Sequence, residues 1–253
     1  MSGTGGEAIY VDPTFASFYD LENGDAAEGG RADFDYCRQM AEKAASVLDL
    51  GCGTGELAAS ISPGRRVVGV DPAAAMLEVA RGRLNGDRVT WVNSGAAELD
   101  LGELFDLIVM TGHAFQTLLT DQDVLDALSA IRRHLAPEGQ FIFDSRNPAV
   151  EEWKAWTREK SMRSVVHPDF GTCAAWNEIA FDTQTGIVTY ETAYQPDSRP
   201  VLSSFARIRF IDRDHLARLI DAAGLTVERW LGDWHGAPYE AASKEIIPVG
   251  RLR

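Results

Sequence analysis

Basic residues are scarce in this chain. Its 253 residues include 24 lysines and arginines against 38 aspartates and glutamates, a formal net charge of −14. Without a lysine or arginine cluster, neither a surface for nucleic-acid phosphates nor one for an anionic membrane is expected. Only Cys37, Cys52 and Cys173 are present, and none stands in a CxxC or cysteine–histidine spacing typical of zinc sites. The cysteines therefore disfavour a disulfide framework and favour a reducing compartment.

Long apolar stretches are also missing, since none approaches the ~20 residues that cross a bilayer. Residues 1–8 are rich in glycine and lack the basic start and apolar run of a signal peptide. A biased Gly/Ala/Glu-rich patch occupies residues 23–30, and no internal repeat is visible. We expect a soluble cytoplasmic protein with no nucleic-acid or membrane partner, built as one large α/β domain or two small ones.

Short apolar runs alternate with helical patterns between residues 46 and 144. Helices are predicted after the first, second and fourth runs. The predicted strands are 47–50, 67–70, 89–92, 105–110 and 141–143. Thr120, with Asp123 three residues on, can cap the helix after the fourth strand, and a turn is predicted at 137–139. This alternation indicates a doubly wound, mostly parallel sheet covered on both faces, and such sheets bind ligands at the carboxyl ends of their strands.

The pattern changes after Arg146, where three β-like segments (172–181, 186–194 and 201–210) alternate with turns and predict an inserted antiparallel meander. One helix is suggested at 149–159, another begins at Asp212, and two last strands at 225–231 and 246–252 return to the sheet. The expected architecture is a Rossmann-like sheet of seven strands with a cap. Its expected parts are an N-terminal helical segment or lid (1–39), a core (40–146 plus 207–253) and an inserted substrate cap (147–206).

A glycine-rich loop follows the first predicted strand. Residues 47–55 read VLDLGCGTG, with glycines at 51, 53 and 55 just before a helix. Glycine permits a tight turn and lets a ligand approach the backbone closely. Asp71 ends the second strand 20 residues after Gly51, where an acid can hold both hydroxyls of a ribose. The pattern therefore predicts a pocket for an adenosine-containing cofactor.

The spacing of these glycines bears on which cofactor binds. A dinucleotide fingerprint requires G-x-G-x-x-G, with a pyrophosphate on the helix N-terminus. Here the pattern is G-x-G-x-G, and the Glu56 carboxylate at the helix start would repel a pyrophosphate. Asp49 adds a second negative charge before the loop. These acids suit a ligand with a cationic amino-acid end and no phosphate.

The segments VLDLGCGTGELA (47–58) and VVGVDPAAAML (67–77) together resemble the class I S-adenosylmethionine-dependent methyltransferases. The resemblance covers roughly residues 40–145 and 207–253, and the layout is similar to small-molecule members with an antiparallel insertion after the fifth strand. It implies that Gly51 and Gly53 face the methionine part of the cofactor and that Asp71 holds the ribose. Pro72 and Met76 would border the adenine.

The segment after the third strand departs from the family, which often has Gly-Asp-Ala there. Here residues 94–98 read SGAAE, so the acid is missing at Gly95. The backbone of Ala96 and Ala97, or the Glu98 side chain, is then expected at the adenine amino group. The full set of expected cofactor contacts is Tyr19, Asp49, Gly51, Cys52, Gly53, Gly55, Asp71, Pro72, Met76, Ala96, Ala97, Thr111 and Gly112.

The fourth strand ends in MTGHAFQ (110–116), a loop that would border both cofactor and substrate. His113 is the natural general base, because its ordinary pKa lies near neutrality; a purely structural role stays open. The chain has no [DN]PP[YFW] loop for exocyclic amines, no Pro-Cys nucleophile and no Asp at this strand end for Mg²⁺. No metal is expected, and the acceptor is expected to be a small uncharged or cationic metabolite, methylated on O or N. Candidate acceptor contacts are Gln116, Arg146, Asn147, Trp176, Arg207 and Trp234.

Two other functions remain open at this stage. One is a methyltransferase-like module that binds the cofactor without catalysis. The other is an NAD(P)-dependent oxidoreductase, which the glycine spacing and Glu56 oppose. The chain is expected to act as a monomer or a homodimer.

Overall fold

The computed structural model describes residues 8–24, 30–197 and 199–253. Residues 1–7, which carry the prediction of no signal peptide, lie outside the described residues, and so does most of the Gly/Ala/Glu-rich patch. Within them the central sheet has eight strands and follows the order β11-β12-β5-β4-β1-β2-β3, with the short β6 paired to β12. Its strands are β1 Ser46–Leu50, β2 Arg66–Asp71, β3 Thr90–Asn93, β4 Phe105–Met110, β5 Leu135–Phe143, β6 Ser145–Arg146, β11 Leu225–Leu231 and β12 Glu245–Leu252.

The first five strands run parallel, and β12 lies antiparallel to both β5 and β11. The expected doubly wound α/β sheet is therefore confirmed. Because β1 pairs with β2 on one side and β4 on the other, the chain reverses its direction of winding beside β1. Ligands bind such sheets at the carboxyl ends of the strands flanking this reversal.

Both faces of the sheet are covered by helices. These are α3 Ala32–Ala41, α4 Glu56–Ile61, α5 Ala74–Arg81, α6 Asp121–His134 and α8 Arg213–Ala222. Side chains alternate along β1, so Leu48 and Leu50 pack in one apolar cluster with α6 and α8, whereas Val47 packs in another with α3 and α4. The capping box predicted at Thr120 is present, since its hydroxyl accepts from the Asp123 backbone N–H.

The segment between β6 and α8 forms a second sheet, antiparallel throughout, in the order β10-β9-β8-β7. Its strands are β7 Arg163–His167, β8 Gly171–Asp182, β9 Ile187–Pro196 and β10 Leu202–Arg209. The meander was expected with three strands, and β7 adds a fourth. The division into lid, core and cap at the residues given above stays a prediction.

Two local expectations take a different form in the structure. The turn predicted at 137–139 falls within the bounds of β5, at an irregularity where β5 advances from Leu135 to Gln140 while β4 advances only from Phe105 to Leu107. The helix suggested at 149–159 is replaced by 3₁₀ turns at Pro148–Val150 and Glu152–Ala155 and by α7 Arg158–Ser161. Glu151, with left-handed backbone at φ 50°, separates the two 3₁₀ turns and interrupts a continuous helix, and Trp153 is buried against Phe181 and Phe210, 4.6 and 4.5 Å between centroids.

Helices α1 Ala8–Val11 and α2 Pro13–Asn23 both contact α5 beside the central sheet. Helix α1 also contacts β10 of the second sheet, and α2 contacts β7. Phe18 of α2 is fully buried and stacks on Tyr194 of β9, with 4.0 Å between ring centroids. The N-terminal segment is thereby fixed against the cap. Among the described residues no helix has the length and apolar character needed to cross a membrane. Cytoplasmic location and a monomeric or homodimeric state stay predictions.

Candidate active site

Three adjoining cavities open at the carboxyl ends of β1, β2 and β4. We call the cavity of about 440 Å³ beside β2 the main cleft. A recess of about 30 Å³ behind the glycine loop is the inner recess, and a cavity of about 320 Å³ against the cap is the side pocket. The main cleft and the side pocket share Tyr10, Tyr19, Gly112 and His113, which we call the junction.

The glycine loop is held open by left-handed backbone at all three glycines, with φ of 73°, 53° and 74°. A Cβ on Gly55 would lie 2.4 Å from Trp91 Cη2 and 2.6 Å from Ala80 Cβ, so this position serves packing. A Cβ on Gly53 would meet no described atom within 4 Å, so this position faces open space. Gly53 therefore leaves the backbone accessible to a ligand.

Asp71 fastens the loop to the end of β2. Its Oδ2 accepts the Gly53 backbone N–H and its Oδ1 accepts that of Ala73, both at 2.8 Å. Burial raises the pKa of this carboxyl, and the two backbone donors oppose the rise. The side chain lines the main cleft beside Pro72, Met76 and Ala96. Ala97 and Glu98, also expected near the adenine, lie outside the lining of this cleft.

The inner recess is lined by an acid, Asp49, and a base, Arg31. Asp49 is 2% exposed, and its Oδ1 finds no hydrogen-bond partner among the described residues. Burial, with the charge of Asp71, raises the pKa of Asp49 to about 7. Arg31 lines the same recess, held by Asp33 at 2.8 and 2.5 Å and by the Phe34 ring, 3.8 Å from its guanidinium carbon.

The recess therefore offers an acceptor to an ammonium and a donor to a carboxylate, which are the two groups of an amino acid. Burial raises the pKa of Tyr19 to about 12, so its hydroxyl stays a donor here. Cys52 and Thr111 line the same recess. Sequence reasoning missed Arg31, which follows residues 25–29 and belongs to no motif.

His113 stands at the junction in a left-handed conformation, with φ of 60°. Its backbone N–H donates to Asp144 Oδ1 at 3.0 Å, and its Nε2 lies 3.1 Å from both carboxylate oxygens of Glu245. Burial, aided by the charge of Arg146, lowers the pKa of His113 to about 4. The imidazole is therefore neutral at pH 7, and the lowered pKa also makes it a weaker base than an exposed histidine.

Two acids surround this imidazole. Burial raises the pKa of Asp144 to about 6 and that of Glu245 to about 7. Ligand atoms of His113, Asp144 and Glu245 lie within 4.8 Å of one another, a spacing that a divalent cation could also bridge. The expectation of no metal stays a prediction. Asp144 and Glu245 were not singled out from the sequence, because each follows or begins a strand without any motif around it.

Four of the six predicted acceptor contacts are turned away from the cavities. Gln116 is 1% exposed, donates to the Arg209 carbonyl at 3.1 Å and accepts from Arg146 at 2.9 Å. Asn147 is also buried, and its amide donates to the carbonyls of Ala241 and Ser243 at 3.0 and 2.8 Å. Both amides therefore bind protein atoms and do not reach the cavities.

The two tryptophans lie elsewhere as well. Trp176 lies under the Arg158 guanidinium, 4.0 Å from its ring centroid, while its neighbour Asn177 lines the side pocket. Trp234 packs on Tyr36, with ring centroids 5.8 Å apart. By contrast, Arg146 lines the side pocket and Arg207 lines the main cleft, where they stay predicted acceptor contacts.

The cap supplies a polar wall to the side pocket. Tyr190 and Tyr10 share a hydrogen bond at 3.0 Å between their hydroxyls, and the Thr192 hydroxyl donates to Asn177 Oδ1 at 3.2 Å. The Tyr194 hydroxyl donates to Glu22 of α2. The remaining lining residues are Phe15, Tyr19, Asn23, Gly112, His113, Arg146, Glu152, Trp156, Arg163 and Ile208.

Comparison with known proteins identifies relatives of this chain. Residues 47–139 match a family described as a methyltransferase domain. The chain is 30% identical over 215 residues to a cypemycin N-terminal methyltransferase from a Streptomyces species, covering 81% of this chain and 82% of that protein.

Solved structures share the fold. The CcbJ methyltransferase from Streptomyces caelestis superposes with a TM-score of 0.78 at 24% identity, covering 94% of this chain and 95% of the other. The amino pentose methyltransferase CalS10 from Micromonospora echinaspora, bound to S-adenosylmethionine, gives 0.68 at 21% identity, covering 94% and 97%.

Proposed function

The chain belongs to the class I S-adenosylmethionine-dependent methyltransferases, and from this premise we propose that it methylates an amine nitrogen of a small polar molecule. Family membership makes the protein an enzyme with S-adenosylmethionine as cofactor. The alternatives of a non-catalytic binding module and of an NAD(P)-dependent oxidoreductase are therefore not retained. The acceptor and its methylated atom belong to the proposal.

The residues of the main cleft and inner recess fit this cofactor. The orphaned Asp49 Oδ1 suits the ammonium of the methionine part, and Arg31 suits its carboxylate. Asp71 would hold the ribose, and Pro72 and Met76 would border the adenine. When bound, S-adenosylmethionine supplies an electrophilic methyl group to the acceptor.

The junction is the observation that carries the proposal. Gly112 and His113 line both the main cleft and the side pocket, so a cofactor in one and an acceptor in the other would meet there. Holding two reactants in line accounts for much of the rate in a displacement of this type. The neutral imidazole of His113 would accept the proton that an ammonium acceptor must lose before its nitrogen can attack.

The charges beside the junction favour nitrogen over oxygen. The acids acting on His113 or Glu245 are Asp33, Asp144, Glu152 and Glu245 itself, and they outnumber the bases Arg146 and Lys244. Methylation of an amine yields a cation, which nearby carboxylates stabilise, whereas methylation of a hydroxyl yields a neutral ether. A relative named as an N-terminal methyltransferase and a neighbour named as an amino pentose methyltransferase agree with this choice.

A panel of paired acceptors tests the proposal. Purified enzyme is incubated with S-adenosylmethionine and with amino sugars or short peptides with a free N-terminus, each paired with an analogue in which hydroxyl replaces the amine. Mass spectrometry should find methylation of amines and not of their hydroxyl partners. Equal methylation of a hydroxyl analogue would refute the choice of nitrogen. Asp71→Ala, which removes the hydrogen bonds to the backbone of Gly53 and Ala73, serves as the inactive control.

A further inference from the structure

The acids beside His113 have a geometry that specifies the state of the imidazole. Glu245 begins β12 and pairs with Arg146 of β6, which brings its carboxylate beside the loop after β4. Both of its oxygens lie 3.1 Å from His113 Nε2. His113 Nδ1 makes no hydrogen bond with any described residue. The two ring nitrogens therefore have different environments.

Asp144 adds to this asymmetry. It is 1% exposed, its Oδ1 holds the backbone N–H of His113, and its Oδ2 lies 3.5 Å from Nε2 without a hydrogen-bond partner among the described residues. A neutral imidazole carries one N–H, and an ionised carboxylate can only accept. When both acids are ionised, a lone pair on Nε2 would face the oxygens of two carboxylates, whereas an N–H there satisfies them.

We propose that Glu245 and Asp144 are positioning residues that hold His113 as the Nε2-protonated tautomer and leave Nδ1 as the proton acceptor. The role in catalysis rests on the proposed function: the N–H bond of the acceptor ammonium breaks, the proton bonds to Nδ1, and the electron pair stays on the amine nitrogen. The resulting imidazolium lies beside Glu245 and Asp144, which stabilise its charge. A carboxylate that orients a histidine base acts in this way in hydrolase triads.

The tautomer is measurable without any acceptor. Long-range ¹H–¹⁵N spectra of uniformly labelled protein distinguish protonated from unprotonated ring nitrogens, and His113→Ala identifies one set among five histidines. At pH 8 the wild type should show Nε2–H. Glu245→Gln should keep it, because the amide oxygen still accepts from Nε2–H, whereas Glu245→Ala should give an interconverting mixture.

Glu152→Gln is the matched control. Glu152 is a charged neighbour of His113 that makes no hydrogen bond to its ring, so this variant removes a charge and should leave the tautomer unchanged. An Nδ1–H signal in the wild type would overturn the proposal, because it would mean that a protonated Glu245 donates to Nε2. An unchanged spectrum in a folded Glu245→Ala, or a stoichiometric metal that is lost from Glu245→Gln, would overturn it as well.

A second readout connects the tautomer to turnover. With an acceptor from the paired panel, Glu245→Ala should lower kcat while the calorimetric affinity for S-adenosylmethionine stays unchanged, and Glu245→Gln should restore part of the rate. Failure of the panel refutes the proposed function and leaves the spectra valid. An Nδ1–H spectrum with an active panel refutes only the positioning role.

Discussion

Binding of S-adenosylmethionine is expected to release a proton from Asp49. With a pKa of about 7, roughly three-quarters of this carboxyl is protonated at pH 6.5. An adjacent cation lowers a carboxyl pKa by about 1–3 units, and a fall to about 5 would leave roughly 3% protonated. The release is therefore about 0.7 proton per site at pH 6.5, where the cofactor's own amino group is already protonated.

The assay is calorimetric titration at pH 6.5 in buffers of different ionisation enthalpy. The slope of observed enthalpy against buffer enthalpy gives the number of protons released. Asp49→Asn cannot release one, and loss of a charge-assisted hydrogen bond of about 1.5–3 kcal/mol should weaken binding roughly ten- to a hundredfold. A release near zero in the wild type, or one unchanged in the variant, would refute the assignment of Asp49 to the ammonium.

Asp49→Asn should weaken cofactor binding, but it should stabilise the folded protein without cofactor at high pH. The folded-state pKa of Asp49 lies above its ordinary value of 3.8, so its contribution to stability is present below about pH 4 and lost as the pH rises through 7. At pH 8 the buried charge costs up to about 4 kcal/mol, at ~1.4 kcal/mol per pKa unit. The Asp49→Asn protein without cofactor should therefore have a higher Tm than the wild type at pH 8 and gain little at pH 4. A lower Tm at pH 8 would contradict this reasoning.

Three further outcomes are expected. Gly55→Ala should lower the free energy of unfolding by about 2–5 kcal/mol, because left-handed strain adds to the clash with Trp91. Gly64→Ala, at φ +81° with no described atom within 4 Å of its Cβ, should show the strain alone. Equal losses of the two variants in denaturant unfolding would disprove the steric argument. Arg31→Leu should weaken S-adenosylmethionine binding but not binding of its decarboxylated analogue, and parallel losses by calorimetry would remove the carboxylate assignment. His113→Gln should lower kcat by about 10²–10⁴ with cofactor affinity unchanged, and an undiminished rate would exclude a general base.

The parallel core and the glycine loop were predictable because their signals are local. The apolar runs of β1 and β2 are buried on both faces, so each reads as a strand without knowledge of its neighbours. The expected role of the loop in cofactor binding depends on its backbone conformation, and the spacing of its glycines indicates that conformation directly. Asp49 and Asp71 follow from their positions relative to that loop.

The substrate side was predictable only in part because its contacts join distant residues. The Gln116 amide donates to the carbonyl of Arg209, 93 positions away, and no local sequence pattern predicts this contact. Trp176 and Asn177 are adjacent on β8, and only the strand pairing decides which one faces the side pocket. Asp144 follows β5 and Glu245 begins β12, so the cluster around His113 is recognisable only once the pairing of these strands is known.

Helix α2 connects the two halves of the site. Asp20 accepts from the Thr54 hydroxyl of the glycine loop at 2.5 Å, and Glu22 pairs with Arg163 and Tyr194 of the cap. Residues two apart on a helix point to nearly opposite sides, so α2 contacts the loop with one side and the cap with the other. A cofactor that fixes the glycine loop would thereby also fix the α2 residues that line the side pocket. If the side pocket holds the acceptor as proposed, this connection predicts that the cofactor binds before the acceptor.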